Sequence, residues 1–323
     1  MRSDPARTIL VVLIALSLSS CARFQRGPGL PPVLEGTLEH GGRARTYLYY
    51  VPRTADPARK MPLVLLLHGG LGSGKKMIGL TQGGWNRLAD TEGFIAVYPD
   101  GVERHWNDGR GIRDHDKVVE GIDDVGFLST LMDRLSSQLP VDRDRIYVAG
   151  ISNGAMMTSR LACEKPGRFA AVAMVSGYMP VSQKAACQPS QPLPVMLIGG
   201  TKDPLVPHEG GMIRFRKKEL GETLSFDRTA DFWKKANGCK GRPLKVEIPE
   251  KDRFDNCTAS VETWAGGRQG SEVVLVTVKD GGHTWPGGDA YAPARYIGHT
   301  CRDFDANVLI WEFFKKHSRR VTR

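Results

Sequence analysis

The stretch RIYVAGISNGAMMTSRLAC, residues 145–163, decides the fold. An apolar run leads into Gly150-Ile151-Ser152-Asn153-Gly154, and an amphipathic stretch follows at once. That succession predicts a strand over 145–149, a tight turn, and a helix over 153–162. The pentapeptide is G-x-S-x-G, which in a strand–turn–helix setting presents a serine hydroxyl at the apex of a sharp bend. Bulk two residues to either side of Ser152 would clash, which explains Gly150 and Gly154. The helix aims its first N–H groups at the serine, where negative charge builds during acyl transfer. A structural turn would use the same residue types. The flanking strand and helix favour a nucleophile.

Working outward, short apolar runs alternate with longer amphipathic stretches, the mark of an α/β chain with a mostly parallel sheet. Further strands are expected at 45–51, 63–67, 94–98, 171–175, 195–198 and 273–278, and further helices at 124–138, 223–236 and 303–317. The first strands follow one another too closely for helical crossovers, so the sheet should begin antiparallel. Residues 238–270 are the least regular and read as an excursion from the sheet. No linker interrupts 36–317, which reads as one catalytic domain. No inserted helical lid is visible.

A serine nucleophile needs a base, and the base needs an acid to hold its tautomer. After Ser152 come His208, His283, His299 and His317. His283 lies in VVLVTVKDGGHTWPGG, in a glycine-rich loop directly after a strand, and fits the base. Asp203, in LPVMLIGGTKDPLVPHEGG, sits just past a strand end, at the carboxyl edge where α/β sites assemble. Asp-Pro is also a common turn pair. His208 lies too near Asp203 in the chain to serve as base. Trp106 and Trp285 sit in loops near strand ends, where a ring could stack on substrate or simply pack. Asp108, Asp123 and Asp124 read as loop braces and a helix cap rather than a metal pair.

The segment PLVLLLHGGLGSGKKM, residues 62–77, poses a different possibility. Gly69 to Lys75 fits G-x-x-x-x-G-K, most of a phosphate-binding loop. Such a loop needs Ser or Thr after the lysine to bind Mg²⁺, and Lys76 stands there instead. Strand-end glycines can equally offer N–H groups to a transient oxyanion. No nucleotide is expected.

The chain has 323 residues, 41% hydrophobic and 25% charged, with a net charge of +10. The basic residues are scattered, which solvates a surface and argues against a nucleic-acid partner. Arg2 and Arg7 precede a short apolar segment, 8–18, that reads as an export signal. Leu18-Ser19-Ser20-Cys21 resembles a bacterial lipobox, so 1–20 is expected to be removed and Cys21 lipidated, with 21–35 as a tether. Residues 318–323 form a basic tail. Export permits disulfides. Loop spacing favours Cys163–Cys187 and Cys239–Cys257 and leaves Cys301 over, although sequence alone does not fix connectivity. No His/Cys spacing suits zinc, and neither metal nor cofactor is expected.

Seven motifs in one order make the chain similar to bacterial polyhydroxybutyrate depolymerase-like and feruloyl-esterase-like α/β-hydrolases. They are LLLHGG, HWNDGR, IDDVGFLSTLMDRL, GISNGAMM, GGTKDPLVP, GGHTWPGG and FDANVLIWEFF, spread over about 36–314. The resemblance implies an α/β-hydrolase fold, with a mostly parallel central sheet, helices on both faces, an antiparallel start and no large lid. It implies Ser152 as nucleophile, Asp203 as acid and His283 as base. It also implies that Gly70 and Asn153 supply the oxyanion N–H groups. Many members carry cysteine where Gly70 stands, a change that a backbone donor tolerates. The expected activity is that of an exported serine esterase, held to a bacterial membrane through Cys21 or secreted. Its substrates would be hydroxyalkanoate oligomers or feruloyl and acetyl sugar esters. A serine peptidase and a non-catalytic binding lipoprotein are the competing readings.

Overall fold

A computed structural model describes residues 33–111, 119, 121–215 and 218–319. The leader, Cys21 and the last four residues of the basic tail therefore lie outside the described residues. Among the described residues no helix is long and apolar enough to cross a membrane.

The chain opens with β1 (Leu34–His40) and β2 (Arg43–Tyr50), an antiparallel hairpin. The buried strand β3 (Met61–Leu67) follows, then helices α1 (Gly74–Leu80) and α2 (Gly84–Glu92), then β4 (Ile95–Pro99). Helix α3 (Asp124–Gln138) leads to β5 (Val141–Ile151), and α4 (Asn153–Glu164) to β6 (Ala171–Val175). A short α5 (Val181–Ala186) precedes β7 (Val195–Gly200). A hairpin of β8 (Gly211–Phe215) and β9 (Lys218–Thr223) comes next, then α6 (Phe226–Asn237). The last strands are β10 (Leu244–Ile248), β11 (Thr258–Trp264) and β12 (Val273–Lys279), followed by α7 (Ala294–Ile297) and α8 (Ala306–Phe314).

Ten strands form one sheet in the order β1-β2-β4-β3-β5-β6-β7-β12-β11-β10. The run from β4 to β12 is parallel, and antiparallel strands border it on each side. All of β3 is buried because helices cover both faces. Leu63, Leu65 and Leu67 point into a core with Phe127, Leu131, Met156 and Trp233, from α3, α4 and α6. Val64 and Leu66 point into the opposite core with Met77, Trp85, Ile310 and Trp311, from α1, α2 and α8. Period-two alternation thus feeds two cores from one strand.

Three expectations need correction. Residues 34 and 35 belong to β1 rather than to a tether, because Leu34 and Glu35 pair with Tyr49 and Leu48. Residues 238–270 are not an excursion: β10 and β11 extend the main sheet beside β12. Their polar outer faces hid the apolar signal, since β10 is almost wholly exposed. The third concerns the cysteines. Cys163–Cys187 is a disulfide, but Cys239 is unpaired with Cys257. Cys239 packs on the α6 core and Cys257 in the α8 core, so the sheet lies between them.

Candidate active site

The order β3-β5-β6-β7-β12 gathers five carboxyl ends along one rim. From β3 the chain turns one way to β4 and the other way to β5, making the switch point where α/β sheets bind ligands. Ser152 follows β5, Asp203 follows β7 and His283 follows β12. Residues distant in sequence are therefore neighbours at the rim.

Ser152 has φ 57° and ψ −122°, a strained backbone for a residue with a Cβ. Its N–H is held by the carbonyl of Val175, at 2.9 Å. A Cβ on Gly150 would lie 2.3 Å from the Gly154 carbonyl oxygen, and one on Gly154 would lie 2.3 Å from that of Leu67. Backbone crowding, not turn propensity, demands both glycines. Next along the rim, the Ser176 hydroxyl donates to the Thr284 carbonyl at 3.2 Å, tying the β6 end to the residue after His283.

His283 and Asp203 are buried side by side, with Nδ1 2.7 Å from Oδ2. Asp203 Oδ1 accepts the N–H groups of Leu205 and Val206, both at 2.8 Å. Because an ionised carboxylate only accepts, His283 carries its proton on Nδ1 and leaves Nε2 as an acceptor. Tyr291, which the sequence did not single out, donates its hydroxyl to the His283 carbonyl at 2.9 Å. The only cue was its place eight residues after the histidine. Among the described residues Ser152 has no hydrogen bond to His283, a contact that commonly tightens only with substrate bound.

Gly70 and Asn153 come together: a Cβ on Gly70 would lie 3.9 Å from the Asn153 Cβ. The Asn153 amide opens α4 and has no intrahelical acceptor. Among the described residues the Gly70 amide likewise has no protein acceptor. A Cβ on Gly70 would touch the His105 ring at 3.4 Å, so His105 is the wall there. The Asn153 side chain clamps the 105–110 loop. It accepts from the Trp106 amide at 2.8 Å and donates to the Trp106 carbonyl at 3.0 Å and to Asp108 at 2.6 Å. Asn153→Ala orphans these buried groups, and chemical denaturation should show a loss of about 2–3 kcal/mol.

The tryptophans do not serve as platforms. Trp106 is 1% exposed and Trp285 is 0% exposed, so neither offers a ring face to a ligand. Each spends its indole N–H inside the protein, Trp106 on the His68 carbonyl at 2.9 Å and Trp285 on Asn307 at 3.0 Å. Asp108, Asp123 and Asp124 act as braces. Asp108 pairs with Arg110, Asp123 caps α3 through the Gly126 amide, and Asp124 pairs with the buried Arg45. His208 stacks on Phe226, His299 bridges to Gly281, and His317 pairs with Glu272. Among the described residues the one cluster that could hold a metal is Asp255, Cys257 and Cys301.

His68 was also missed. It is buried, its Nδ1 lies 2.8 Å from the Gly69 carbonyl, and its Nε2 accepts the Gly101 N–H at 3.0 Å. This neutral ring braces the loop that carries Gly70. Burial pulls its pKa from 6.5 down to about 4. As pH falls, the unfolded chain binds this proton first. The contribution to stability is whole above pH 6.5 and is lost as pH drops toward 4, by about 3 kcal/mol in all. A His68→Gln variant should lose stability less steeply between pH 6.5 and 4 in denaturant titrations.

The family model described as esterase PHB depolymerase matches residues 45–210. The chain belongs to this family. It is a carboxylic ester hydrolase. A relative from Nocardia uniformis subsp. tsuyamanensis, "Putative esterase NocK", is 36% identical over 269 residues, which cover 81% of this esterase and 76% of that protein. Feruloyl esterase B of Piromyces equi is 28% identical over 238 residues, 71% of this chain but only 40% of the relative's length. An acetyl xylan esterase structure from Aspergillus awamori superposes with a TM-score of 0.51 at 17% identity, covering 74% of this chain and 89% of that one. That likeness shows the α/β-hydrolase fold. The esterase carries it with an antiparallel strand pair at each border of the sheet.

Proposed function

We propose that this esterase is an exported serine hydrolase in which Ser152 is the nucleophile, His283 the base and Asp203 the acid. The observation that carries this reading is the buried Asp203–His283 pair, 2.7 Å apart, on the same rim as the strained Ser152 turn. His283 Nε2 takes the Ser152 proton as Oγ attacks the ester carbonyl. The oxyanion rests on the N–H groups of Gly70 and Asn153, which are fixed before the reaction begins. His283 then gives the proton to the departing alcohol. Water, activated by the same nitrogen, releases the acid from the acyl-enzyme.

For substrate we infer short esters at an open rim, either feruloyl or acetyl groups on sugars or hydroxyalkanoate oligomers. The names of the relatives point to the first two and the family to the third. Export, cleavage before Cys21 and lipid anchoring belong to the same proposal and rest on the leader sequence. The deciding test is a side-by-side panel of short p-nitrophenyl esters, methyl ferulate, acetylated xylan and hydroxybutyrate oligomers. Turnover of one natural class at least tenfold above the others assigns the substrate. Hydrolysis of peptides with no ester turnover would overturn the reading.

A further inference from the structure

Cys257 and Cys301 take no part in ester hydrolysis, yet the fold puts them together. Cys257 lies in the turn before β11 and Cys301 in the segment after α7, and both are buried. Their sulfurs and an Asp255 carboxylate oxygen all lie within 4.8 Å of one another. The two chain segments dock reciprocally. Asp255 accepts the Arg302 amide at 2.6 Å, and Asp303 accepts the amides of Lys251 and Asp252 at 2.7 and 3.2 Å. These bonds fix both backbones with the thiols facing each other. They also occupy the two carboxylates with backbone donors, so a cation would have to compete for them. Hydrogen bonding to Cys301, together with burial, pushes the Cys257 thiol well up, which suits neutral thiols rather than thiolates around a metal.

We propose that Cys257 and Cys301 form a second disulfide, which staples the segment holding the His283 loop. That segment accepts the His283 amide at the Ile297 carbonyl, the Gly282 amide at the His299 carbonyl, and the Gly287 amide at the Cys301 carbonyl. A bond at Cys301 would therefore anchor the base-bearing loop to β11. The oxidant is a protein or small-molecule disulfide. One cysteine thiolate attacks it, forms a mixed disulfide and expels one thiol. The second cysteine then attacks the first sulfur, closes the S–S bond and expels the other thiol. Two protons leave the protein and two electrons reduce the oxidant. Burial of the finished pair means that oxidation happens while residues 251–257 are still open, and that later reductants reach it poorly. In the cell the oxidant comes with the export proposed above. The chemistry itself does not depend on which residue attacks the ester.

The test refolds the full reduced chain in a glutathione disulfide buffer, blocks remaining thiols with N-ethylmaleimide under denaturing conditions, and maps tryptic peptides by mass spectrometry. Peptide 254–268 should appear joined to peptide 296–302, leaving Cys239 as the one alkylated cysteine of the three unpaired in this structure. The Cys163–Cys187 link is the internal control that oxidation worked. Maleimide on both Cys257 and Cys301 while that control is linked would overturn the proposal. So would a stoichiometric metal that is retained by the folded chain and lost in Cys257→Ser. The readout is covalent and needs neither export nor ester turnover, so failure here and failure of the proposed function are separate results.

Discussion

Ser152→Ala should lower kcat/KM for a short p-nitrophenyl ester by about 10⁵-fold or more, with an unchanged circular dichroism spectrum. The turn at Ser152 is enforced by other residues, so deleting its oxygen should remove the chemistry without the architecture. A companion variant separates strain from catalysis. Ser152→Gly should be equally inactive but no less stable than the alanine protein. Glycine relaxes a backbone strain of about 1–3 kcal/mol, which offsets its entropic cost of about 1 kcal/mol. Substantial turnover by either variant would remove Ser152 from the mechanism.

Asp203→Asn should cost about 10⁴-fold in kcat while leaving KM nearly unchanged. Oδ1 of Asp203 is held by two N–H donors, so the amide oxygen of asparagine would stay there. The amide NH₂ would then face His283 Nδ1 and donate to it. The histidine proton would move to Nε2, and the base would present a donor to Ser152 where an acceptor is needed. The nitrogen shifts of His283 in NMR should report this exchange of tautomers. A loss of only a few-fold would mean that Asp203 merely braces its own loop.

The elements that carry the site were the ones most legible in the sequence. The strand, turn and helix around Ser152 announce themselves because steric crowding demands both glycines and the cores on each face demand apolar residues. Strands β7 and β12 were readable for a similar reason, being apolar on both faces. Where covering was partial, legibility failed. Strands β10 and β11 face solvent too much to show an apolar run, and residues 34 and 35 of β1 read as tether because both face solvent. Trp106 and Trp285 misled because a loop position suggests exposure, while their packing depends on helices and loops far away in the chain. His68 was invisible as a brace because its partners are backbone atoms, which carry no side-chain signature. The pairing of Cys257 with Cys301 was hidden for another reason. Loop spacing weighs distance along the chain, whereas the sheet decides which side each sulfur occupies.

The strand order also has a temporal meaning. In the proposed triad the nucleophile follows β5 and the base follows β12, which cannot dock on β7 until the intervening segment has been made and folded. A chain cut anywhere before β12 holds a serine at a strained bend with no nitrogen to activate it. With that triad, hydrolytic competence is all-or-none along the polypeptide, and incomplete products of synthesis or proteolysis are expected to be born silent.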